Sequence, residues 1–397
     1  MFTACTDVET IESTQLSSAN KWNVTYKWDS PAGGAPDSML IIANRAINTY
    51  RYIYNWNVAK AKSMKLCEST DLGYKKTQLT VDSTLYNPTD TLETEQQKIE
   101  NGQAAADNSN DDILVRPGQY TAITASLGKD IIYTCLNTEG FQQFMDSTVS
   151  VREVAMYYKT LTTDSIYSRF GRRWTDFNPT ELFICDVGHI YFDEQKQITV
   201  KDGEATNIQF SPRDITQNLT VRFKVILRGG NIQVNDLLGS ISGIPGSVRL
   251  SSLYINTGPT RKMAFRPEVS VKNDTTLEYT AQMVVPGLLA DLDTTRLNGP
   301  GVLQLGIFTQ TVANDGRTVA KTFYVGRNVA AEIKEGNANI LGDDNLHLVA
   351  NEKEILIDVK IPIIIDREII LSLPDGESTL NKWTVDDEFT QDEDIEI

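Results

Sequence analysis

The sequence predicts an all-β protein of β-sandwich architecture, and three observations support that class. Apolar and polar residues alternate with a period of two in many short segments, which is typical of strands with one buried face. Helical periodicity is nearly absent, and clusters of Gly, Pro, Asn and Asp separate the alternating segments. At 397 residues the chain exceeds what one hydrophobic core usually organises, so two domains are expected.

The first half of the chain opens with an aromatic strand, KWNVTYKWD. Its apolar and aromatic side chains fall on one face of the strand and its polar ones on the other. The apolar and aromatic set comprises Trp22, Val24, Tyr26 and Trp28. The loop SPAGGAPDS follows, and MLII begins the next strand. Further strand candidates are QYTAITA, DIIYTCL, VREVAMYYKTL and FICDVGHIYF. The polar stretch TLETEQQKIENGQAAADNSNDD predicts an exposed, mobile insertion.

The second half restarts the alternation with NLTVRFKVIL and LEYTAQMVV, each of which predicts a strand with one apolar face. A hairpin is predicted around Asn314-Asp315-Gly316, and EILIDVKIPIII predicts a late strand. The segment VNDLLGSISGIPG predicts one short helix after Asn235, stopped by Gly and Pro. With a boundary near 200–215, the predicted parts are an N-terminal linker (1–19), a first sandwich (20–205), a second sandwich (206–373) and an acidic tail (374–397).

The charge balance excludes some classes of partner. The chain has 37 basic and 53 acidic residues, a net charge of −16, and no basic stripe, so nucleic acid is not an expected partner. No apolar run approaches the roughly 18 residues of a membrane-spanning helix. Membrane attachment would therefore have to come from a lipid, and Cys5 is the candidate.

The opening residues MFTAC are the reason why Cys5 is the candidate for lipid attachment. In a bacterial lipoprotein signal an apolar residue and two small residues precede the cysteine that receives lipid, and Phe2, Thr3 and Ala4 resemble this pattern before Cys5. The alternative is an N-terminal cysteine without chemistry. Three cysteines remain, which argues against a complete disulfide framework; buried free thiols or a single bridge are expected for Cys67, Cys135 and Cys185.

The sequence offers little material for catalysis. Its two histidines, His189 and His347, are expected to be structural or solvated. GSISG resembles a nucleophile elbow but has Ile241 where serine is required, and Asp291 and Asp293 lack the other ligands of a cation loop. Paired carboxylates could support glycoside hydrolysis, but no pair stands out among the acidic residues. We therefore expect no enzyme activity, no metal and no cofactor.

The five tryptophans raise the alternative of glycan binding, because aromatic rings stack on sugars. Trp22 and Trp28 fit a core stripe. Trp56, Trp174 and Trp383 lie in less regular contexts, and Trp56 and Trp174 are the positions at which a glycan-binding role is tested.

Several motifs in a fixed order carry a family resemblance. They are WNVTYKWDSPAGGAPDSM, RPGQYTAITA, LLGSISGIPGSVRLSS, YVGRNVA and EILIDVKIPI. This set, over about residues 20–390, resembles the fimbrillin superfamily of Bacteroides-type bacteria, in particular its lipid-anchored minor or anchor subunits and a related group of lipoproteins. The resemblance implies two tandem transthyretin-like, Greek-key β-sandwiches. It also implies export, lipidation of Cys5 and surface display on the outer membrane.

The function that the resemblance implies is structural. It predicts a non-catalytic fimbrial anchor or accessory subunit in fimbria assembly and cell adhesion, acting through strand edges. The expected partners are fimbrial subunits that exchange strands, or a receptor on a host or bacterial surface. The runner-up is a glycan-binding surface lipoprotein that captures polysaccharide.

Overall fold

The predicted all-β class is confirmed in a computed structural model, in which most residues of the described part lie in β-strands of several sheets. In the described part of the chain the fold is sandwich-like and has few helices. The described residues are 19–29, 31, 34–45, 51–69, 113–127, 130–136, 153–162, 168, 183–184, 186, 188–256, 260–291, 299–335, 354–373 and 379–380. The predicted insertion, with the N-terminal linker and nearly all of the acidic tail, lies outside them.

The strands are numbered in chain order. In the first half they are β1 (Lys21–Tyr26), β2 (Ser38–Arg45), β3 (Arg51–Asn57), β4 (Lys62–Ser69), β5 (Ile113–Leu114), β6 (Gly118–Ser126), β7 (Ile131–Tyr133), β8 (Ala155–Tyr158), β9 (Phe183–Ile184), β10 (Tyr191–Val200), β11 (Thr206–Phe210) and β12 (Arg213–Asp214). In the second half they are β13 (Gln217–Arg228), β14 (Ile232–Ile244), β15 (Ser247–Arg249), β16 (Tyr254–Asn256), β17 (Arg261–Phe265), β18 (Glu268–Lys272), β19 (Thr276–Val285), β20 (Val302–Val312), β21 (Thr318–Asn328), β22 (Ile355–Asp358), β23 (Ile363–Asp366) and β24 (Thr379–Leu380). The helical elements are α1 (Ala330–Glu335), α2 (Arg367–Ser372) and a 3-10 turn at Thr134–Leu136.

The chain divides into two compact units that do not follow chain order. Unit 1 comprises Met1–Leu127, Thr138–Val151 and Phe192–Pro212. Unit 2 comprises Gly128–Asn137, Arg152–Tyr191 and Arg213–Ile397. Segments from the first half of the chain, Gly128–Asn137 and Arg152–Tyr191, thus belong to the same unit as Arg213–Ile397.

Unit 1 is held together by aromatic contacts between two sheets. One sheet has the order β11-β1-β5, and five strands of the other run β10-β6-β2-β3-β4. The hydroxyl of Tyr26 in β1 lies 2.7 Å from Thr124 Oγ1 in β6, and Tyr54 in β3 donates to the carbonyl of Leu114 in β5 at 3.1 Å. Burial raises the pKa of Tyr26, since the ionised phenol would lose its hydration.

Unit 2 contains a five-stranded sheet in which β13 is central. β13 pairs antiparallel with β19 and, on its other side, parallel with β22 and β23, while β18 lies beyond β19. The predicted apolar face of β13 is confirmed, because its inward residues are all buried: Leu219, Val221, Phe223, Val225 and Leu227.

The other sheets of unit 2 have the orders β24-β21-β20-β14-β17-β9 and β16-β15-β8-β7. The predicted hairpin is β20–β21, with Ala313 N–H donating to the carbonyl of Arg317 at 2.8 Å across its tip. One face of the six-stranded sheet forms a buried cluster against which Leu161 packs: Leu238, Ala264, Phe308 and Tyr324.

The helix predicted after Asn235 is wrong. Residues 232–244 form strand β14, which pairs with β20 on one side and β17 on the other. All residues from Leu237 to Ile244 are buried, so both faces of this strand are covered. An apolar run without alternation suits such a strand as well as a short helix, and tertiary packing decided between them.

Two predicted strands are broken in the structure. EILIDVKIPIII forms β22 and β23, separated by residues 359–362, and Ile361 in the break is 38% exposed. FICDVGHIYF forms the short β9 and the start of β10, while Asp186 and residues 188–190 lie in neither strand. Pro362 explains the first break, because it donates no ladder hydrogen bond.

Candidate interaction surface

β18 forms one edge of the five-stranded sheet and exposes all of its residues. Within the described part of the chain β19 is its one partner strand. Val269 and Val271 are each 48% exposed, the highest values among the large apolar side chains that are described. An exposed edge strand presents unpaired N–H and C=O groups to other chains, so this edge is the first candidate for contact with a partner.

A β-bulge shapes this edge. The register runs from Val269 opposite Tyr279 directly to Val271 opposite Glu278, which leaves Ser270 as the extra residue. Tyr279 is buried and Glu278 lies on the outer face, so the bulge turns the two valines toward opposite faces of the sheet. Ser270 Oγ donates to the carbonyl of Glu278 at 3.2 Å, which fixes the bulge.

β19 is only half covered by β18. β18 pairs with Leu277–Thr280, so residues 281–285 of β19 have β13 on one side and, among the described residues, no strand on the other. Here a side chain takes the place of a strand, because Val284 N–H donates to Asp186 Oδ2 at 3.1 Å.

The outer face of the five-stranded sheet carries ion pairs. Lys224 Nζ lies 2.7 Å from Glu278 Oε1, and this hydrogen bond raises the pKa of Lys224. Arg222, which pairs with Asp358 in the parallel register, is also exposed. Leu356 and Ile364 are 40% and 37% exposed on neighbouring strands. This face is therefore solvated, with scattered apolar positions.

The inner face is apolar. Tyr279 stacks on Phe223 with ring centroids 5.3 Å apart and an interplanar angle of 14°. Burial raises the pKa of Tyr279 to about 12, with a smaller contribution from the nearby carboxylate of Asp236.

His189 has a structural partner, in line with its expected role. Its Nδ1 lies 2.6 Å from Asp214 Oδ2, and Thr216 Oγ1 donates to Asp214 Oδ1 at 2.5 Å. In a nucleophilic triad the hydroxyl approaches the imidazole nitrogen that the carboxylate leaves free. Here Thr216 Oγ1 lies 3.4 Å from the same Nδ1, so these three side chains do not form a triad. His347 lies outside the described residues.

The tryptophans give little support for a sugar platform. Trp56 is only 9% exposed, and its ring lies 6.1 Å from that of Tyr26 in the core of unit 1. Trp56 therefore does not offer the exposed ring that the glycan-binding alternative requires. Trp22 is buried and Trp28 is half-buried and stacked on Tyr26, as a core stripe predicts. Trp174 and Trp383 are outside the described residues.

The remaining candidates are dispersed. Cys5, Cys185 and Asp293 lie outside the described residues, and the side chain of Cys67 is not described. Cys135 is a buried thiol that is not part of a disulfide. Ile241, in the GSISG segment, is fully buried in β14, and the neighbouring Ser242 donates to the carbonyl of Gly299 at 2.5 Å. Asp291 lies in the segment after β19.

The described residues show neither a metal cluster nor a membrane-spanning helix. No cluster of three or more His, Cys, Asp or Glu side chains in that part of the chain has the arrangement of a metal site. None of the helices described there has the length and apolarity needed to span a bilayer.

Sequence reasoning missed β18 and Asp186. The signal for β18 was Val-Ser-Val between Pro267 and the Asn273-Asp274 turn, a short alternation that five residues carry only weakly. Asp186 had no local signal, because its partner Val284 is 98 positions away in the chain.

The chain is similar to several solved structures. One is a candidate adhesin from Bacteroides ovatus, with 11% identity, a TM-score of 0.42, and coverage of 91% of this chain and 100% of that one. A second is the fimbrial anchor protein from Porphyromonas gingivalis, with 11% identity, a TM-score of 0.33 and coverage of 83% and 88%. A third is a candidate polysaccharide-binding protein from Bacteroides thetaiotaomicron, with 8% identity, a TM-score of 0.32 and coverage of 78% and 80%.

No protein-family model and no curated protein matches the chain. At TM-scores below 0.5 the three likenesses assign neither a family nor a function to it.

Proposed function

We propose that the chain is a non-catalytic cell-surface lipoprotein that serves as an anchor or accessory subunit in fimbria assembly and cell adhesion. Its two sandwiches are of the transthyretin-like, Greek-key type, and Cys5 carries the lipid that attaches it to the outer membrane. Its partners are fimbrial subunits that exchange strands, or a receptor on a host or bacterial surface. The support comes from the ordered sequence motifs and from the exposed sheet edge of unit 2.

The observation that carries the proposal is the exposure of β18. All five of its residues are exposed, and its two valines lie on either side of a bulge. A regular edge strand can pair with almost any added strand. A bulge interrupts the hydrogen-bond ladder and disfavours such non-specific strand addition. An edge of this shape favours a partner whose side chains fit Val269 and Val271, which suits a specific assembly contact.

Photo-crosslinking tests the edge. A benzophenone amino acid at Val269, in the bacterium that encodes the chain, is expected to crosslink to a pilus-type β-sandwich subunit or a surface receptor identified by mass spectrometry. The same replacement at Val312 is the matched control, since Val312 is 45% exposed and lies in β20 instead. Equal yields at the two positions, or none at either, would contradict a role for the β18 edge.

The lipid is tested separately. After growth with an alkyne-bearing fatty acid, the chain expressed from its genomic start is expected to take up label, and Cys5→Ala is expected to abolish it. More than one acyl chain is needed for stable anchoring, because each buried methylene contributes only about 0.8 kcal/mol. Labelling that persists in the variant would remove Cys5 from the proposal.

A further inference from the structure

Among the described residues, residues 281–285 of β19 have no partner strand on the side away from β13, and their backbone groups on that side form a defined set. In an antiparallel ladder, successive residues direct their N–H and C=O groups to opposite neighbours. Val284 N–H donates to Asp186 Oδ2 at 3.1 Å, so Val284 faces away from β13. By the same alternation Gln282, which is exposed, faces outward as well. These are the groups that an added strand would meet.

Asp186 is held at this position from both sides in the chain. Its Oδ1 accepts the N–H of Gly188 at 2.8 Å, which fixes the carboxylate relative to its own backbone. Upstream, Ile184 is fully buried and pairs with Met263 of β17. Downstream, the carbonyl of Ile190 accepts the N–H of Ile215 at 2.9 Å.

Asp186 therefore acts on the edge in two ways. Its Oδ2 occupies the hydrogen bond that the carbonyl of an added strand would otherwise receive from Val284. Its negative charge also opposes the approach of any carbonyl oxygen to that N–H, because like partial charges repel. An inward-directed charge at an open edge is a known means of preventing strand addition.

We propose that Asp186 guards the edge of residues 281–285 of β19, so that this part of the sheet does not pair with a second copy of the chain while the bulged β18 edge stays available. The inference rests on the proposed function, because it restricts edge contacts to β18. It assigns Asp186 an autoinhibitory role that its position in the sequence does not suggest.

The test compares Asp186→Ala and Asp186→Asn with the wild-type chain. Hydrogen exchange of the Val284 amide is expected to accelerate roughly tenfold in the alanine variant, since hydrogen bonds to charged groups contribute about that factor or more. Sedimentation velocity is expected to show stronger self-association of both variants. The asparagine variant keeps an acceptor oxygen without the charge, so it tests the effect of the charge on self-association even if the alanine variant does not fold.

Asp315→Ala is the matched control. Asp315 is also an aspartate that caps a backbone N–H, that of Arg317 at 3.1 Å, but it lies at the tip of the β20–β21 hairpin. The Asp315→Ala substitution removes the same charge as Asp186→Ala, and it is expected to leave self-association unchanged. Unchanged hydrogen exchange of the Val284 amide in Asp186→Ala, or faster exchange without stronger self-association, would contradict the protective role of Asp186. Neither result depends on the Val269 crosslink, so failure of the proposed function is distinguishable from failure of this inference.

Discussion

Two long strands of unit 2, β13 and β14, differ in what covers them. β13 has 12 residues and alternates, with its inward side chains buried and Arg222 and Lys224 exposed on the outer face. β14 has 13 residues, and its second half is buried without alternation. The difference arises because the sheet of β14 has a second covered face, to which Leu161 contributes, whereas the outer face of β13 meets water.

The coverage of each sheet determines where a partner can bind. A sheet covered on both faces has few positions that tolerate a partner, and its strands serve as scaffold. A sheet with one solvent-exposed face and one exposed edge keeps the N–H and C=O groups of its edge strand accessible, while its buried inner face supplies stability. In unit 2 the exposed edge, the bulge and Asp186 all belong to the half-covered sheet or contact it.

The largest expected effect tests the second covered face directly. Phe308→Ala, on the covered outer face of the six-stranded sheet, is expected to lower the free energy of unfolding by about 3–5 kcal/mol, because a buried ring is replaced by a cavity. Lys224→Ala, on the exposed outer face of β13, is expected to lower the free energy of unfolding far less, because solvent-exposed ion pairs contribute little to stability. Denaturant unfolding measures both. Similar costs would mean that the two outer faces are equally covered.

A smaller effect comes from the backbone of β14. Gly243 has φ +107°, and a Cβ there would lie 2.0 Å from the carbonyl oxygen of Leu289. Gly243→Ala is therefore expected to cost about 3 kcal/mol, from backbone strain plus overpacking. Gly316→Ala at the hairpin tip is the control, since Gly316 has φ +84° with no atom within 4 Å of the added Cβ. The Gly316→Ala change is expected to lower the free energy of unfolding by only about 1 kcal/mol. A loss as large as that of Gly243→Ala would mean that the positive φ, and not the close contact with Leu289, causes the effect.

The smallest effect concerns the dry inner face of the five-stranded sheet. The pKa of Tyr279 is raised from 10.0 to about 12, so its contribution to stability is fully present below pH 10. Between pH 10 and 12 the unfolded chain releases the proton and the folded chain keeps it, so this contribution is lost as pH rises. Tyr279→Phe is expected to make the decline of the unfolding free energy over that interval shallower. Tyr254→Phe, at a ring that is 39% exposed, is the control. Parallel declines in the wild type and Tyr279→Phe would show that the inner face is wet.

The sequence predicted the strands with one solvated face well, and it failed at β14, whose second half is buried on both faces. The alternation of β13 and β19 identified their buried residues, because the polar outer face leaves a period of two in the sequence. β14 was assigned a short helix, because a strand covered on both faces has no alternating polar face to mark its period. Trp56 was chosen as a position for testing glycan binding, and its burial was not visible in the sequence because it depends on contacts such as that with the ring of Tyr26.

The sequence by itself determined the all-β class, the inner faces of the alternating strands and the acidic character of the chain, because each depends on neighbouring residues or on composition alone. Tertiary structure decided which edge stays open and what guards it. The exposure of β18 depends on the sheet order, and the bond from Val284 to Asp186 joins residues 98 positions apart. Such contacts form only when the chain folds back on itself, so no local pattern encodes them.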